Sequence, residues 1–154
     1  QMYKGEADWS LIAAVKNNPR VTIPVFGNGD IDSPEKALEY KNRYGVDGIM
    51  IGRGAIGAPW FFRQVKNYFA TGDAGSPPDM AERIKAVRTH LRHSIEWKGE
   101  RLGIVEMRRH YANYFRGLPH FKEHRLALVT LDNPEALEAK LSEIAERFGE
   151  HVFA

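Results

Sequence analysis

Apolar positions in the first half of the chain alternate between helical and strand-like spacing. In ADWSLIAAVKNN (7–18), Trp9, Ile12 and Ala13 recur at helical intervals behind Asp8 or Ser10 as a cap, and the stretch predicts a short helix. VTIPVFGN (21–28) is β-rich and apolar almost throughout, which predicts a strand covered on both faces, as parallel strands are. SPEKALEYKNRYG (33–45) predicts a helix with Ser33 as N-cap, Pro34 at the first position, acidic residues early, basic residues late and Gly45 as the stop. VDGIMIG (46–52) predicts a second buried strand, and APWFFRQVKNYFATG (58–72) a helix ending near Gly72. Helix, strand, helix, strand, helix is the order of right-handed parallel units in an α/β fold.

The strand pattern then stops. TGDAGSPPD (71–79) gathers Gly, Ser and Pro and reads as a linker. Residues 79–98, about 101–117 and 134–149 show helical spacing, broken by GLP at 117–119 and DNP at 132–134. The second part therefore reads as a small helical domain.

Charge sharpens this division. The net formal charge is +2, yet residues 1–79 are balanced, residues 80–125 hold eleven Lys/Arg against five Asp/Glu, and residues 126–154 hold two against six. Five of the six histidines (His90, His93, His110, His120, His124) also lie in the basic block. That block suits either a polyanionic partner or a solvated helix face. Cysteine is absent, which excludes a disulfide framework, a thiolate metal site and a cysteine nucleophile within these residues. No apolar run approaches the roughly 20 residues of a membrane span, and no signal-peptide pattern opens the sequence; the expected location is the cytoplasm. Gln1 and the loop-like QMYKGEADW read as the middle of a longer chain.

Candidate chemistry sits at the two strand exits. In parallel α/β architectures the carboxyl ends of strands and the adjoining helix starts present backbone N–H groups to anions. Gly27 and Gly29 permit close backbone approach, Asn28 and Asp30 offer polar side chains, and Gly52-Arg53-Gly54 adds a guanidinium suited to phosphate. Either motif alone is also an ordinary turn. At equivalent positions after consecutive strands, they read as two halves of one phosphate site.

These residues carry a family resemblance. IPVFGNGDIDSPEKALEYKNRYGVDGIMIGRGAIGAPWFF resembles the flavin-binding half of the tRNA-dihydrouridine synthases, where one strand ends in Asn-Gly-Asp and the next in Met-Ile-Gly-Arg before a Pro-Trp helix. QMYKGEADW looks like the stretch after that family's sixth strand, and EMRRHYANYFRGLP like the third helix of its RNA-binding domain. The resemblance implies the last two β/α units of a (β/α)8 TIM barrel over residues 1–72, a linker at 73–78, and a small all-α tRNA-binding domain over 79–154. It implies FMN as cofactor, NADPH as its reductant and a uridine of tRNA as substrate. Asn28, Gly29 and Asp30 match the first flavin segment, and Gly52 and Arg53 the second, with Arg53 pairing the phosphate. Arg108, Arg109, Arg116, Lys122 and Arg125 are the basic residues that would face tRNA phosphates, positioning RNA without reading sequence. The family's catalytic cysteine belongs to an earlier part of the barrel, so no catalytic residue is assigned and the chain alone is expected to be inactive.

Trp60, Phe61 and Phe62 are read as core at a helix start, with one ring lining the flavin pocket as the alternative. Tyr111, Tyr114 and Phe115 pack between helices, with base stacking as the alternative. His90 and His93 lie on one helix without a carboxylate or cysteine pattern around them, and no metal site is assigned. Two parallel strands leave open edges, so the piece is expected to pair with another copy as a homodimer through truncated barrel edges, to aggregate, or to rely on its helical domain for stability. Two other readings remain: a stand-alone RNA-binding module, or another phosphate-binding barrel enzyme.

Overall fold

The computed structural model describes residues 5–153; the first four residues of the QMYKGEADW stretch and Ala154 lie outside them. The chain divides into two compact units, one through Gly75 and one from Ser76 onward. Among the described residues no helix is long and apolar enough to cross a membrane.

The first unit begins with α1 (Trp9–Lys16), capped by the Asp8 carboxylate, which accepts from the Ser10 amide at 2.9 Å. β1 (Phe26–Asn28), α2 (Pro34–Tyr44) and β2 (Gly48–Met50) follow, then a 3₁₀ turn at Arg53–Ala55 and α3 (Phe61–Thr71). α2 starts where its sequence says: Ser33 Oγ accepts from the Lys36 amide at 3.1 Å, Pro34 opens the first turn, and Gly45 ends it at φ 66°. β1 and β2 pair in parallel, with Phe26 opposite Gly48, Gly27 opposite Ile49 and Asn28 opposite Met50.

The strands are shorter than the apolar runs, and they are not covered on both faces as the sequence predicts. Pro24 has no N–H to give a ladder. At the next residue the Val25 amide donates to the Asp47 carboxylate at 2.7 Å, itself gripped by Lys16, so regular pairing begins only at Phe26. Successive side chains point to opposite faces of a strand. Val25, Ile49 and Ile51 face the core of Trp9, Ile31, Ala37, Val46, Phe61 and Val65. The opposite face is open: Phe26 is 65% and Met50 58% exposed, and the Phe26 ring lies where a side chain on Gly48 would stand. Of the three aromatics at the start of α3, only Phe61 is core; Phe62 is exposed.

The second unit is helical throughout: α4 (Met80–Lys98), α5 (Glu100–Tyr114), α6 (Lys122–Thr130) and α7 (Pro134–Phe148). Asp79 caps α4 by accepting from the Glu82 amide at 2.8 Å, and Asn133 caps α7 by accepting from the Ala136 amide at 2.8 Å. Gly99 alone, at φ 80°, joins α4 to α5. The two helices approach so closely that a Cβ on Gly103 would run into the Ile95 backbone, and Ser94 Oγ donates to the Gly103 carbonyl at 3.1 Å. α6 is absent from the sequence reading because it has neither signal used there. Its first residue follows Phe121, which makes no side-chain cap bond, and its apolar residues do not segregate: Leu126 is exposed while Leu128 is buried.

The core of this unit joins Met80, Val87, Ile104, Met107, Tyr111, Leu128, Leu137 and Leu141. Tyr111, Tyr114 and Phe115 belong to it, at 2% exposure or less, as the helix packing expected from the sequence requires, and the alternative of base stacking by these rings is excluded. Arg83 is buried with them. It donates to the Pro78 carbonyl at 3.1 Å and the Tyr114 carbonyl at 3.0 Å, and its guanidinium lies 3.5 Å from the Phe153 ring centre. Burial brings its pKa down to about 10, still a cation at neutral pH.

Candidate functional site

The strand-exit loops owe their shape to the start of α1 and the residues just before it. Trp9 lies beneath β1, where a Cβ on Gly27 would enter its ring, and its indole N–H donates to the Gly29 carbonyl at 3.0 Å. Gly29 holds φ 136°, and a Cβ there would meet Ala7. The missing side chains of Gly27 and Gly29 are thus accounted for by Trp9 and Ala7. Asp30 follows at φ 53°, a left-handed conformation that Asp tolerates better than most residues. One of its carboxylate oxygens accepts from the Ala7 amide and the other from the Arg53 guanidinium, each at 2.7 Å. Asp30 therefore ties three chain segments together.

The second loop docks on the first. A Cβ on Gly54 would press against the Ile31 carbonyl and the Phe61 ring, so only glycine lets the 3₁₀ turn sit this close. Gly52, by contrast, has open space where a side chain would stand, leaving its backbone approachable. Asn28, Gly29, Asp30, Gly52 and Arg53 come together around one cavity of about 710 Å³, which Lys36 also lines. Lys36 sits in the first turn of α2, 3.6 Å from Asp32. Asp30, engaged by Arg53 and the Ala7 amide, spends its charge within the protein. The site thus offers a guanidinium, an ammonium and a bare glycine backbone, a donor set that fits a phosphate monoester, with the Glu6 and Asp32 carboxylates also on its lining. Lys36 and Ala7 are site residues that the sequence reading lacks. Ser33 three residues before Lys36 is the available signal for the former, whereas the Ala7–Asp30 contact leaves no sequence trace.

The five basic residues assigned to RNA do not form one surface row. Arg108 and Arg109 leave α5 in different directions. Arg108 turns toward the end of α6, its Nη2 lying 3.5 Å from the Leu131 carbonyl, and its buried Nε has no hydrogen-bond partner. Arg109 turns toward α4, donating from Nε to His110 Nε2 at 3.2 Å, with Glu106 at 3.9 Å. Arg116 is anchored on Asn113 at 2.7 Å, and Lys122 and Arg125 are exposed on α6. Near Arg109, the His90 and His110 rings meet edge to face at 4.6 Å, and His90 Nδ1 lies 3.0 Å from the Tyr114 hydroxyl. Burial first, then neighbouring positive charge, keeps His90 below its ordinary value and takes His110 down to about 4. Among the described residues no three His, Cys, Asp or Glu side chains converge as a metal site.

Against this geometry stand the relatives of the chain. Residues 1–149 match the family model described as dihydrouridine synthase (Dus). The chain is 41% identical over 143 residues to the "Probable tRNA-dihydrouridine synthase" of Rickettsia conorii (strain ATCC VR-613 / Malish 7), a match covering 93% of this chain and 43% of that protein. It is 46% identical over 113 residues to "tRNA-dihydrouridine synthase B" of Shewanella oneidensis, covering 73% of this chain and 34% of the relative. It is 39% identical over 147 residues to "tRNA-dihydrouridine synthase B" of Pseudomonas aeruginosa, covering 95% and 44%. The chain thus spans less than half the length of these curated relatives.

Proposed function

Because the chain belongs to the dihydrouridine synthase family, we propose that it forms the carboxyl-terminal part of an FMN-dependent enzyme that reduces uridine in tRNA to dihydrouridine. The observation that carries this reading is the meeting of Asn28, Gly29, Asp30, Gly52 and Arg53 around one cavity with a phosphate-compatible donor set. On this reading the first unit is the end of a (β/α)8 barrel, and the helical unit holds tRNA in the cytoplasm. FMN held here would supply the hydride, with NADPH as its reductant. This chain's residues do the holding: Arg53 and Lys36 neutralise the phosphate, the Gly52 backbone lets it approach, and Asp30 fixes the direction of Arg53 through its 2.7 Å bond. With no cysteine in its sequence, the chain has no group of the kind that protonates the uracil ring in this family, and alone it is expected to leave uridine unreduced.

The test compares FMN with riboflavin, which lacks the phosphate, by flavin fluorescence titration of the 154-residue chain. FMN is expected to bind the tighter, and Arg53→Gln to weaken FMN about 10- to 100-fold, the scale of one charge-assisted hydrogen bond, while leaving riboflavin unchanged. Equal affinity for the two flavins would overturn the phosphate assignment. A second reading, an RNA-binding module without flavin, rests on the exposed Arg109, Lys122 and Arg125. It is favoured if tRNA binds with steep salt dependence while neither flavin binds.

A further inference from the structure

A second concavity, of about 320 Å³, opens between α4 and α5, and His90, Trp97, Lys98, Glu106, Arg109 and His110 lie around it. Trp97 is 86% exposed although it sits in the last turn of an ordered helix. An indole left in water is apolar area that the fold itself does not use. At the rim, Lys98 donates to Glu106 at 2.5 Å, and Arg109 reaches the same carboxylate at 3.9 Å, so one anion aligns two cations and leaves the rim positive. The floor is the His90–His110 pair. His110 Nε2 accepts from Arg109, which puts its proton on Nδ1, a buried atom without a hydrogen-bond partner. The concavity therefore has an aromatic wall, a cationic rim and an uncharged floor.

We propose that this concavity takes one unpaired nucleotide of RNA, its base stacked on Trp97 and its phosphate held by Lys98 and Arg109. The inference rests on the tRNA reading above and adds a place where the RNA would be gripped. Stacking on an exposed aromatic beside Arg or Lys is how proteins hold splayed bases, and it requires a base that a duplex does not present. A protein partner would also cover an indole, but the cationic rim is complementary to phosphate.

The experiment measures binding of a fluorescein-labelled single-stranded oligouridylate and of an unmodified tRNA transcript to the 154-residue chain by anisotropy. Trp97→Leu, whose fold is checked by circular dichroism, is expected to weaken the oligouridylate about 5- to 100-fold, the range for loss of one stacked base. Trp97→Phe is expected to recover most of that loss. Arg109→Gln is expected to lower the salt slope by about one. Wild-type affinity for both RNAs in Trp97→Leu, with tRNA still weakened by Lys122→Gln, overturns this site and leaves the tRNA reading standing. No binding of either RNA by the wild-type chain overturns both. If Trp97→Leu instead abolishes self-association and spares RNA binding, the indole belongs to a protein contact and the proposal falls.

Discussion

At the scale of single residues, the strongest dependence is on His110. Its folded pKa of about 4 lies below the ordinary 6.5, so protonation favours the unfolded chain. The sign follows: the contribution is fully present above pH 6.5, declines as pH falls toward 4, and is gone below that. His110 is only partly buried, which reduces the effect to on the order of 1 kcal/mol. His90 and His124 are also depressed by burial and add in the same direction. Urea midpoints of the helical unit measured across that range should fall with acidification, and His110→Phe should flatten the curve. Carboxylates such as Glu106 and Asp47, held low by Lys98 and Lys16, lose their part only further into acid. Asp30 offers a different test. Asp30→Asn keeps an acceptor for the Ala7 amide but removes the charge that steers Arg53, so it should alter FMN affinity with little loss of stability, read by parallel flavin titration and thermal melting.

At the scale of elements, glycines separate packing from turn chemistry. Gly54→Ala drives a methyl group into the Ile31 carbonyl and the Phe61 ring, and is expected to cost about 1–3 kcal/mol as an overpacked contact. Gly45→Ala meets nothing but must adopt φ 66°, and should cost about 1 kcal/mol. Chemical denaturation of the two variants side by side checks the order. α2 was legible in the sequence because its signals are local: Ser33, Pro34 and Gly45 each satisfy or end the helix within a turn of where they stand. The exits of β1 and β2 were legible for the same reason. The strand lengths were not, because they depend on Asp47 intercepting the Val25 amide from 22 residues away. Nor was α6, whose position comes from burying His124 and Leu128 rather than from a cap or a clean apolar stripe. In the candidate site, the Asn28–Asp30 and Gly52–Arg53 segments were legible, while the Asp30–Arg53 bond and the support from Ala7 and Trp9 arise only when distant segments meet.

At the scale of the whole molecule, the two units differ in how much they bury. Residues 76–154 carry a helical core of their own and should unfold cooperatively when expressed alone, as monitored by far-ultraviolet circular dichroism. The first unit has a two-stranded sheet with Phe26 and Met50 on its open face, a marginal arrangement. We propose that copies of the chain associate through this face and its edges, so sedimentation velocity should show a concentration-dependent dimer that Phe26→Ser with Met50→Ser weakens. A monomer at every concentration would dismiss that association. Trp9 beneath Gly27 carries a consequence for the order of assembly. β1 and β2 run parallel and must await the crossover through α2, and the indole closes on Gly27 from 18 positions earlier in the sequence, so neither contact rewards the chain until much of the unit is in place. Replacing Trp9 with Phe should therefore hasten unfolding far more than it slows refolding, marking the ring as a latch that shuts after the barrier has been crossed.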